Sequence, residues 1–443
     1  MFTFDATKKI MSKSKILSPF QQFVKLESLS GILLLISSLT AIIWANTSFS
    51  QVYFDIWQYE FGLSFGDWSL SKPLILWIND GLMAIFFFLI GLEIKREVMI
   101  GELNSIKKAS LPIFAAIGGI FVPLGVYLIL NQNSETTAGW GIPMATDIAF
   151  TLAILKALGK KVPLSLKIFL TAFAIVDDLG AVLVIAIFYS AGIKWMLVAY
   201  ALILLSGLGL LSKSGYFRTW LMLLVGTIVW YLFLKSGIHP TIAGVLLAFT
   251  VPIRQKIDIK TFIPQLQHLS DRILKTPGVE KPILSDERLN LVGEMENLTE
   301  KVHSPLQNME HNLHYWVVYF IMPVFAISNA GINIVDAGEI DLSLVLNIGL
   351  ALVLGKGLGI SLLSYIGLKL NLASLPAGTN FKQIIGVAIL AGLGFTMSIF
   401  ITNLAFTGQT VFIDSAKLGV LAGSIVAAAV GYLVLKFNKT KLA

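Results

Sequence analysis

The sequence AIVDDLGAVL, residues 174–183, places two adjacent aspartates in the middle of an apolar run that extends from Ile168 to Ser190. The run is long enough to cross the hydrocarbon core of a bilayer as a helix, which takes about 20 residues. A charged carboxylate at the centre of a bilayer costs at least about 2.5 kcal/mol, so Asp177 and Asp178 need a partner or a function. Consecutive residues on a helix point about 100° apart, so the two carboxylates cannot occupy the same position. This separation predicts unequal roles.

The composition indicates an integral membrane protein. Of the 443 residues, 56% are hydrophobic and 13% are charged, and that charged share is about half of the roughly 25% in soluble domains. The chain contains no cysteine, which excludes disulfides, iron–sulfur clusters and thiolate zinc sites. The net charge of +7 could suggest an acidic partner, but the placement of the basic residues explains it better.

Twelve segments are apolar over about the length that a helix needs to cross a bilayer. They are residues 28–46, 73–97, 110–130, 138–158, 164–190, 194–212, 216–235, 237–253, 314–334, 342–368, 381–406 and 417–436. The chain is therefore predicted to be an all-α polytopic membrane protein, with one transmembrane domain at residues 28–436 and polar tails at residues 1–27 and 437–443. No small-residue cleavage site precedes the first span, so we expect that span to be retained.

Basic residues are distributed unevenly between the two sides of these spans. Of the 33 Lys and Arg residues, 28 lie in or beside the loops on the side of the termini, four lie on the other side, and Lys356 lies within a span. Because Lys and Arg favour the cytoplasmic side, both termini are predicted to be cytoplasmic. The net charge of +7 is then explained by the orientation of the chain in the membrane. We expect membrane lipids as partners, and no nucleic acid.

The cytoplasmic loop 254–313 is the longest polar segment. Leu291, Met295, Leu298 and Val302 recur there at helical spacing. This spacing predicts an amphipathic helix that lies on the bundle or on the membrane surface.

The outer loop 47–72 contains a second pattern. Apolar residues alternate within residues 61–70 on both sides of Gly66 and Asp67, which is typical of a β-hairpin. An exposed hairpin edge can pair with a second copy of the chain. A packed surface loop is the alternative.

Six ionisable residues lie inside the predicted spans. They are Asp80, Glu93, Asp147, Asp177, Asp178 and Lys356. Ionisable groups at membrane depth usually face the bundle interior and mark ion or proton pathways. A buried ion pair that only joins helices is the alternative. Because three aspartates on two adjacent spans face a single lysine, a cation site is favoured.

Two predicted spans contain helix-breaking residues near their centres. In GWGIPMATDIAF, residues 139–150, Pro143 lacks a backbone donor, so the helix is predicted to break before Thr146 and Asp147. In AGLGFTMSIF, residues 391–400, two glycines precede Thr396. The breaks fall in the middle helix of spans 3–5 and of spans 10–12. Interrupted helices at corresponding positions are typical of a transporter site between inverted-topology repeats.

Lys356 lies among glycines in GLALVLGKGLGIS, residues 349–361. A buried lysine keeps its proton only when a carboxylate stabilises it. The sequence leaves three possibilities: a pair with Asp177, a pair with Asp178, or a position at the C-terminal ends of an interrupted helix.

Seven motifs together resemble the NhaA-type sodium/proton antiporter family over most of the chain. They are NDGLMAIFFFLIGLEIKRE at 79–97, AAIGGIFVP at 115–123, GIPMATDIAF at 141–150, VPLSLKIFLTAFAIVDDLGA at 162–181, KSGIHPTIAGV at 235–245, GLGISLL at 357–363 and GFTMSIF at 394–400. The combination of ATDIAF with DDLGA is highly specific for that family. The resemblance implies a bacterial inner-membrane protein that exchanges Na+ or Li+ for protons.

The resemblance also implies roles for individual residues. The ion site would be built by Asp177 and Asp178, with Asp147 and Thr146 nearby. Asp147 and Lys356 would offset the helix-end dipoles of the crossed, interrupted spans 4 and 11.

A pH response is implied for residues at the cytoplasmic ends of spans 2 and 9. They are Glu93, Arg96, Glu97, Glu310, His311 and His314. The family forms dimers through an outer hairpin, so the 61–70 hairpin is expected to join two copies. The 254–313 loop is longer than the family norm.

Antiport follows from ligand chemistry. Sodium and lithium prefer oxygen ligands, and carboxylates that bind them also bind protons, so one site holds either ion but not both. We expect Asp178 to be the main ion ligand and proton carrier, and Asp177 to pair with Lys356 for part of the cycle. If more protons than sodium ions move, as the family implies, the exchange is electrogenic and supports cytoplasmic pH and sodium homeostasis.

Two other functions are alternatives to a secondary antiporter without cofactors. A sodium–solute symporter would need a roomier pocket. An intramembrane aspartyl protease takes its two aspartates from different helices and normally has a GxGD motif, whereas this chain has GLGF at residues 392–395. Sodium-dependent proton movement in vesicles without organic solute would separate these functions.

Overall fold

The computed structural model describes residues 19–66, 68–190, 192–255, 257–276, 283–334 and 340–438. Several predicted features fall partly outside these ranges. They are most of the tail 1–27, most of the tail 437–443, part of the loop 254–313, and Asp67 of the predicted hairpin turn.

The described part of the chain is mostly helical. In chain order the helices are α1 Pro19–Ala45, α2 Ser50–Gln58, α3 Leu74–Met99, α4 Ile106–Leu130, α5 Ile148–Ala157, α6 Leu164–Phe188, α7 Trp195–Lys213, α8 Thr219–Ser236, α9 Thr241–Thr250, α10 Ile259–Lys275, α11 Asp286–Val302, α12 Pro305–Trp316, α13 Met322–Asn329, α14 Leu342–Lys369, α15 Phe381–Leu390, α16 Phe395–Ala405 and α17 Thr410–Phe437. A 3-10 helix, Ser134–Met144, precedes α5, and π-helical turns occur at Trp77–Leu82, Val317–Ile321 and Ala351–Gly355.

Among the described residues, seven helices are long and apolar enough to cross a membrane, or up to 10 if each bent helix pair is one span. The protein is therefore a multi-pass membrane protein. The predicted spans 237–253 and 314–334 correspond to the short helix α9 and to the sequence from α12 to α13, which are not among these ten. The count of twelve spans stays a prediction.

Both segments with helix-breaking residues are interrupted. The 3-10 helix Ser134–Met144 and α5 meet at an angle of 47°, and so do α15 and α16. Gly394 begins α16 where another side chain would not fit, because a Cβ there would lie 2.9 Å from the carbonyl oxygen of Ala145. The two breaks therefore touch. Whether spans 3–5 and 10–12 form an inverted repeat stays a prediction.

Two short strands form the sheet of the described structure. They are β1 Glu60–Phe65 and β2 Trp68–Pro73, which pair antiparallel from Glu60 opposite Pro73 to Phe65 opposite Trp68. The indole nitrogen Nε1 of Trp77 donates to the carbonyl oxygen of Phe61 at 2.7 Å, which fastens the sheet to the start of α3. The helix α2 in the same loop was not predicted.

The described part of the loop 254–313 contains a pair of packed helices. The apolar residues Leu291 and Leu298 of α11 are buried against Leu269 of α10. The predicted amphipathic helix exists, but the apolar face covers α10. The prediction that this face lies on the bundle or the membrane is thus wrong, because the periodicity of one helix does not specify which neighbour its apolar face contacts.

The helices α4 and α14 approach closely at glycines. A Cβ added to Gly118 would overlap the carbonyl oxygen of Gly359, and a Cβ added to Gly359 would overlap that of Gly118. The π-helical turn Ala351–Gly355 ends immediately before Lys356, and such turns often occur at functional positions. Together these features bring the middle of α14 into the protein interior.

Candidate ion site

Asp147 lies at the start of both interrupted helices. Its Oδ1 accepts from the backbone N–H of Phe150 at 3.3 Å, which caps α5. Its Oδ2 accepts from the backbone N–H of Thr396 at 3.2 Å and from the Thr396 hydroxyl at 2.6 Å, at the start of α16. Helix N-termini carry partial positive charge, so one carboxylate compensates two helix ends.

Further hydrogen bonds connect the two breaks. The hydroxyl of Thr146 donates to the carbonyl oxygen of Ala391 at 3.0 Å, and the backbone N–H of Asp147 donates to that of Leu393 at 2.6 Å. Broken helices leave backbone groups without partners, and these bonds satisfy them inside the bundle. Thr146 therefore has a structural partner, while its oxygen keeps lone pairs for an ion.

Asp177 and Lys356 form a buried ion pair. Nζ of Lys356 donates to Oδ2 of Asp177 at 2.7 Å, with both side chains almost fully buried. Lys356 also lies 5.9 Å from the centre of the Phe173 ring. The other oxygen of Asp177, Oδ1, is buried and has no hydrogen-bond partner within the part of the chain described. The pair is therefore neutral overall, with one acceptor unused.

Asp178 faces a small cavity instead. No hydrogen bond reaches its carboxylate from the described residues, and the charges nearest to it are those of Asp177, Asp147 and Lys356. The cavity has a volume of about 60 Å³ and is also lined by Thr146 and Thr396. A cavity volume of about 10–15 Å³ is enough for one water molecule, so the cavity has room for a small ion together with a few water molecules.

The cavity extends toward Glu93 and His314, which also line it. The ring of His314 is buried, whereas His311 is exposed and lies edge-on to Tyr315 at 5.3 Å. The two histidines that sequence placed together are therefore in different environments.

A cluster of ion pairs lies at the end of α3. Arg96 is within 3.0 Å of Glu97 and within 3.0 Å of Glu310. Burial raises the pKa of Glu310 above its ordinary value, although the positive charge of Arg96 opposes that effect. The cluster thus joins α3 to α12 through a carboxyl group that is sensitive to pH.

Asp80 is not part of the ion site. Its carboxylate contacts Nζ of Lys72 at 2.9 Å and Nε2 of His239 at 3.7 Å. It therefore lies at the opposite end of α3 from Arg96. Asp80 was predicted only as one of the ionisable residues inside the spans, and its partners are thus distinct from those of the three aspartates of the ion site.

Two sets of polar contacts were not predicted. Ser398 donates to the carbonyl oxygen of Ile142 at 2.8 Å, which adds a further bond between the breaks. Asn79, Asn329 and Asn403 form a hydrogen-bonded group. An uncharged amide within an apolar span has no charge that requires a partner, so sequence gives little indication of such a group.

No group of three or more His, Cys, Asp or Glu side chains that could hold a metal ion occurs in the ranges that the structure describes. Interrupted helices that meet at a polar site are typical of secondary transporters. The fold and the site together define this class of multi-pass membrane protein.

Comparison with known proteins gives the family. The family model described as Na+/H+ antiporter 1 matches residues 21–435. The chain belongs to this family, whose members are secondary transporters and not enzymes.

Curated relatives match over nearly the whole chain. The chain is 46% identical over 426 residues to the Na(+)/H(+) antiporter NhaA of Oleidesulfovibrio alaskensis, covering 95% of this chain and 94% of that relative. It is 45% identical over 432 residues to Na(+)/H(+) antiporter NhaA 1 of Saccharophagus degradans, covering 95% and 92%. It is 42% identical over 431 residues to the Na(+)/H(+) antiporter NhaA of Bacteroides fragilis, covering 95% and 98%.

Proposed function

We propose that the protein exports Na+ or Li+ from the cytoplasm in exchange for a larger number of protons. The observation that carries this proposal is the unpaired carboxylate of Asp178 in a cavity of about 60 Å³. Beside it, Lys356 neutralises Asp177 at 2.7 Å. One carboxylate is thus available for a cation while the other is occupied.

Sodium and protons compete for the same oxygens in this proposal. An aspartate in an apolar cavity holds its proton more tightly than one in water, so either ion can occupy Asp178. Thr146 and the unused Oδ1 of Asp177 supply further oxygen ligands when sodium is bound. Exchange then requires only that the cavity open alternately to the two sides.

The ion pair between Asp177 and Lys356 gives a reason why more protons than sodium ions would be transported in each cycle. When sodium binds between Asp177 and Asp178, Asp178 loses its proton and the attraction between Asp177 and Lys356 weakens. Lys356 can then release a second proton. Net charge movement makes exchange respond to the membrane potential, by about 2.3 kcal/mol per charge per 100 mV.

The excess of basic residues on one side supports an orientation with both termini in the cytoplasm of a bacterial inner membrane. The cavity then opens toward the cytoplasm, because it extends along α3 toward the cluster of Arg96, Glu97 and Glu310. In that position the cluster can couple cytoplasmic pH to access, together with Glu93 and His314 on the cavity wall. This exchange would serve pH and sodium homeostasis.

Further proposals concern assembly and domains. We propose that residues 28–436 form one transmembrane domain and that two copies pair through the sheet of β1 and β2, on the outer side. The register of the sheet supports this, since each two-stranded sheet has free edges.

The cavity size argues against a sodium–solute symporter. Pockets for organic ligands have volumes of about 300–1,000 Å³, several times larger than the 60 Å³ beside Asp178. An aspartyl protease is disfavoured because its two carboxylates share a proton, whereas Asp177 is held by Lys356.

The test is sodium-dependent proton movement in inside-out vesicles, followed with a fluorescent pH indicator and no organic solute. The Asp178→Asn variant is expected to abolish the signal, because an amide neither carries a negative charge that binds a cation nor takes up and releases a proton. Asp55→Asn, on the exposed face of α2, is the matched control and should behave as wild type. Full activity of Asp178→Asn would exclude Asp178 as the ion carrier.

A further inference from the structure

Three asparagines from distant parts of the chain form an amide cluster, defined as Asn79, Asn329 and Asn403. Asn79 and Asn329 donate to each other, at 3.1 and 2.9 Å. Asn403 donates to Oδ1 of Asn329 at 2.7 Å. Asn79 and Asn329 are buried, and Asn403 is half-buried. The amide oxygen of Asn329 thus accepts two bonds, which is its full capacity.

The amide cluster joins one interrupted helix to two continuous segments. Asn403 lies on α16, which begins at the hydrogen bonds between Thr396 and Asp147. Asn79 lies in the π-helical turn of α3, and Asn329 is the last residue of α13. At 1.5 Å per residue, Asn403 is about 10 Å along α16 from Thr396. A shift of α16 therefore acts on both the ion site and the amide cluster.

The amide cluster and the part of the cavity that is lined by Glu93 lie toward opposite ends of α3. Glu93, which lines the cavity, is about 20 Å along the helix from Asn79 at 1.5 Å per residue. In the proposed orientation the Glu93 end is cytoplasmic, so the amide cluster lies on the outer side of the ion site. The part of the cavity lined by Glu93 and His314 and the bond from α16 to Asn329 of α13 therefore lie on opposite sides of the ion site.

The bond from Asn403 can break without leaving a buried group unsatisfied. Without Asn403, the oxygen of Asn329 still accepts from Asn79, and the half-buried amide of Asn403 can reach water. Breaking the reciprocal pair of Asn79 and Asn329 would instead leave both the amide nitrogen and the amide oxygen of the buried Asn79 without a partner among the described residues, which is costly. The contact with Asn403 is therefore the one suited to form and break in each cycle.

We infer that Asn403 is a positioning residue of the transport cycle. Its bond to Asn329 holds α16 against α3 and α13 while the cavity is open toward Glu93 and His314, and it must break before the site opens outward. This inference rests on the proposed antiport. One net hydrogen bond changes a conformational equilibrium by roughly 2- to 10-fold.

Cross-linking tests the movement directly, because the chain has no cysteine of its own. In Asn329→Cys/Asn403→Cys, a short, reducible thiol cross-linker is expected to stop sodium-dependent proton movement, and reduction should restore it. In the matched pair Asn79→Cys/Asn329→Cys, the same cross-link should leave transport unchanged. Each variant is compared with itself before cross-linking. Equal effects of the two cross-links would overturn the inference.

A second variant keeps the test decisive if the double substitutions impair folding. Asn403→Leu keeps the approximate size of the side chain without its donor. It should raise the apparent sodium affinity from the outer side by roughly 2- to 10-fold, because the outward-open population rises. Affinity from the cytoplasmic side should fall by a smaller factor, since that state stays dominant. Asn403→Gln, which retains the amide, should lie closer to wild type.

Asn46→Ala is the control for outer-side packing, because Asn46 bonds the carbonyl oxygen of Ile332 at 2.7 Å without involving α16.

Parallel loss of affinity on both sides in Asn403→Leu would contradict the inference and indicate a structural defect. If the wild-type protein moves protons with sodium and the 329–403 cross-link has no effect, the inference fails and the antiport stands. If the wild-type protein moves none, the antiport fails and the inference with it.

Discussion

The buried ion site and the ion-pair cluster at the end of α3 differ in charge balance. In the site, Asp147, Asp177 and Asp178 share one lysine, and Asp178 has no bonded partner in the described structure. In the cluster, Arg96 contacts both Glu97 and Glu310, and its side chain is 32% exposed. A buried, unpaired carboxylate can bind a cargo ion, whereas paired groups near water can adjust their bonds with pH.

The largest expected effect concerns the ion pair of the buried site. Lys356→Met should abolish electrogenic exchange and lower the free energy of unfolding by about 3–5 kcal/mol, because it leaves the Asp177 charge buried without a partner. Thermal unfolding in detergent, followed by tryptophan fluorescence, measures the stability. Lys369→Met, at the exposed end of α14, is the control.

The pairing itself can be tested by a double substitution. Asp177→Asn/Lys356→Met should recover most of the stability without recovering transport. Recovery with Asp178→Asn/Lys356→Met instead would mean that Asp178, and not Asp177, is the partner of Lys356.

A smaller effect is expected where the site depends on helix ends. Asp147→Ala removes the cap of α5 and the bonds to Thr396, so the free energy of unfolding should fall by about 1–2 kcal/mol. The apparent sodium affinity should fall as well. Thr396→Val removes only the hydroxyl bond to Asp147 and should cost about 1 kcal/mol. If Thr396→Val is as damaging as Asp147→Ala, capping of α5 is not the main role of Asp147.

The cluster at the end of α3 should change the pH dependence and not the maximal rate. The raised pKa of Glu310 means that its contribution to the stability of the folded cluster is complete at low pH and is lost as pH rises through that pKa. Ionisation of Glu310 forms its ion pair with Arg96 but costs the free energy of a buried charge, so the contact between α3 and α12 should change with pH.

Glu310→Gln removes this titration, so the activity of the variant should vary less with pH than that of wild type. The measurement is the rate of sodium-dependent proton movement across a pH series. Glu102→Gln, beside the exposed Lys108, is the control. An unchanged pH profile in Glu310→Gln would remove Glu310 from the pH response.

The smallest effect is expected from the helix pair α10 and α11. The backbone N–H of Leu306 donates to the carbonyl oxygen of Pro252 at 3.2 Å, so the two ends of this insertion are adjacent. Replacing residues 257–302 with a short Gly-Ser linker should change sodium transport by no more than about twofold, within the range of surface changes. Loss of transport with normal membrane expression would give this helix pair a functional role.

Much of this protein was determined by its sequence alone. Apolar length predicted the membrane-spanning helices, and Pro143 with the glycines before Thr396 predicted two interruptions, because these residues weaken helices wherever they occur. The different surroundings of Asp177 and Asp178 follow from the 100° between neighbouring residues on any helix.

Tertiary structure decided which of these groups meet. The helical angle separates Asp177 from Asp178 but does not specify that Lys356, 179 residues away, contacts Asp177. Only packing placed Asp80 with Lys72 and brought Asn403 to Asn329. The physical reason is that propensity and periodicity act within one helix, whereas partners depend on how helices distant in sequence pack against each other.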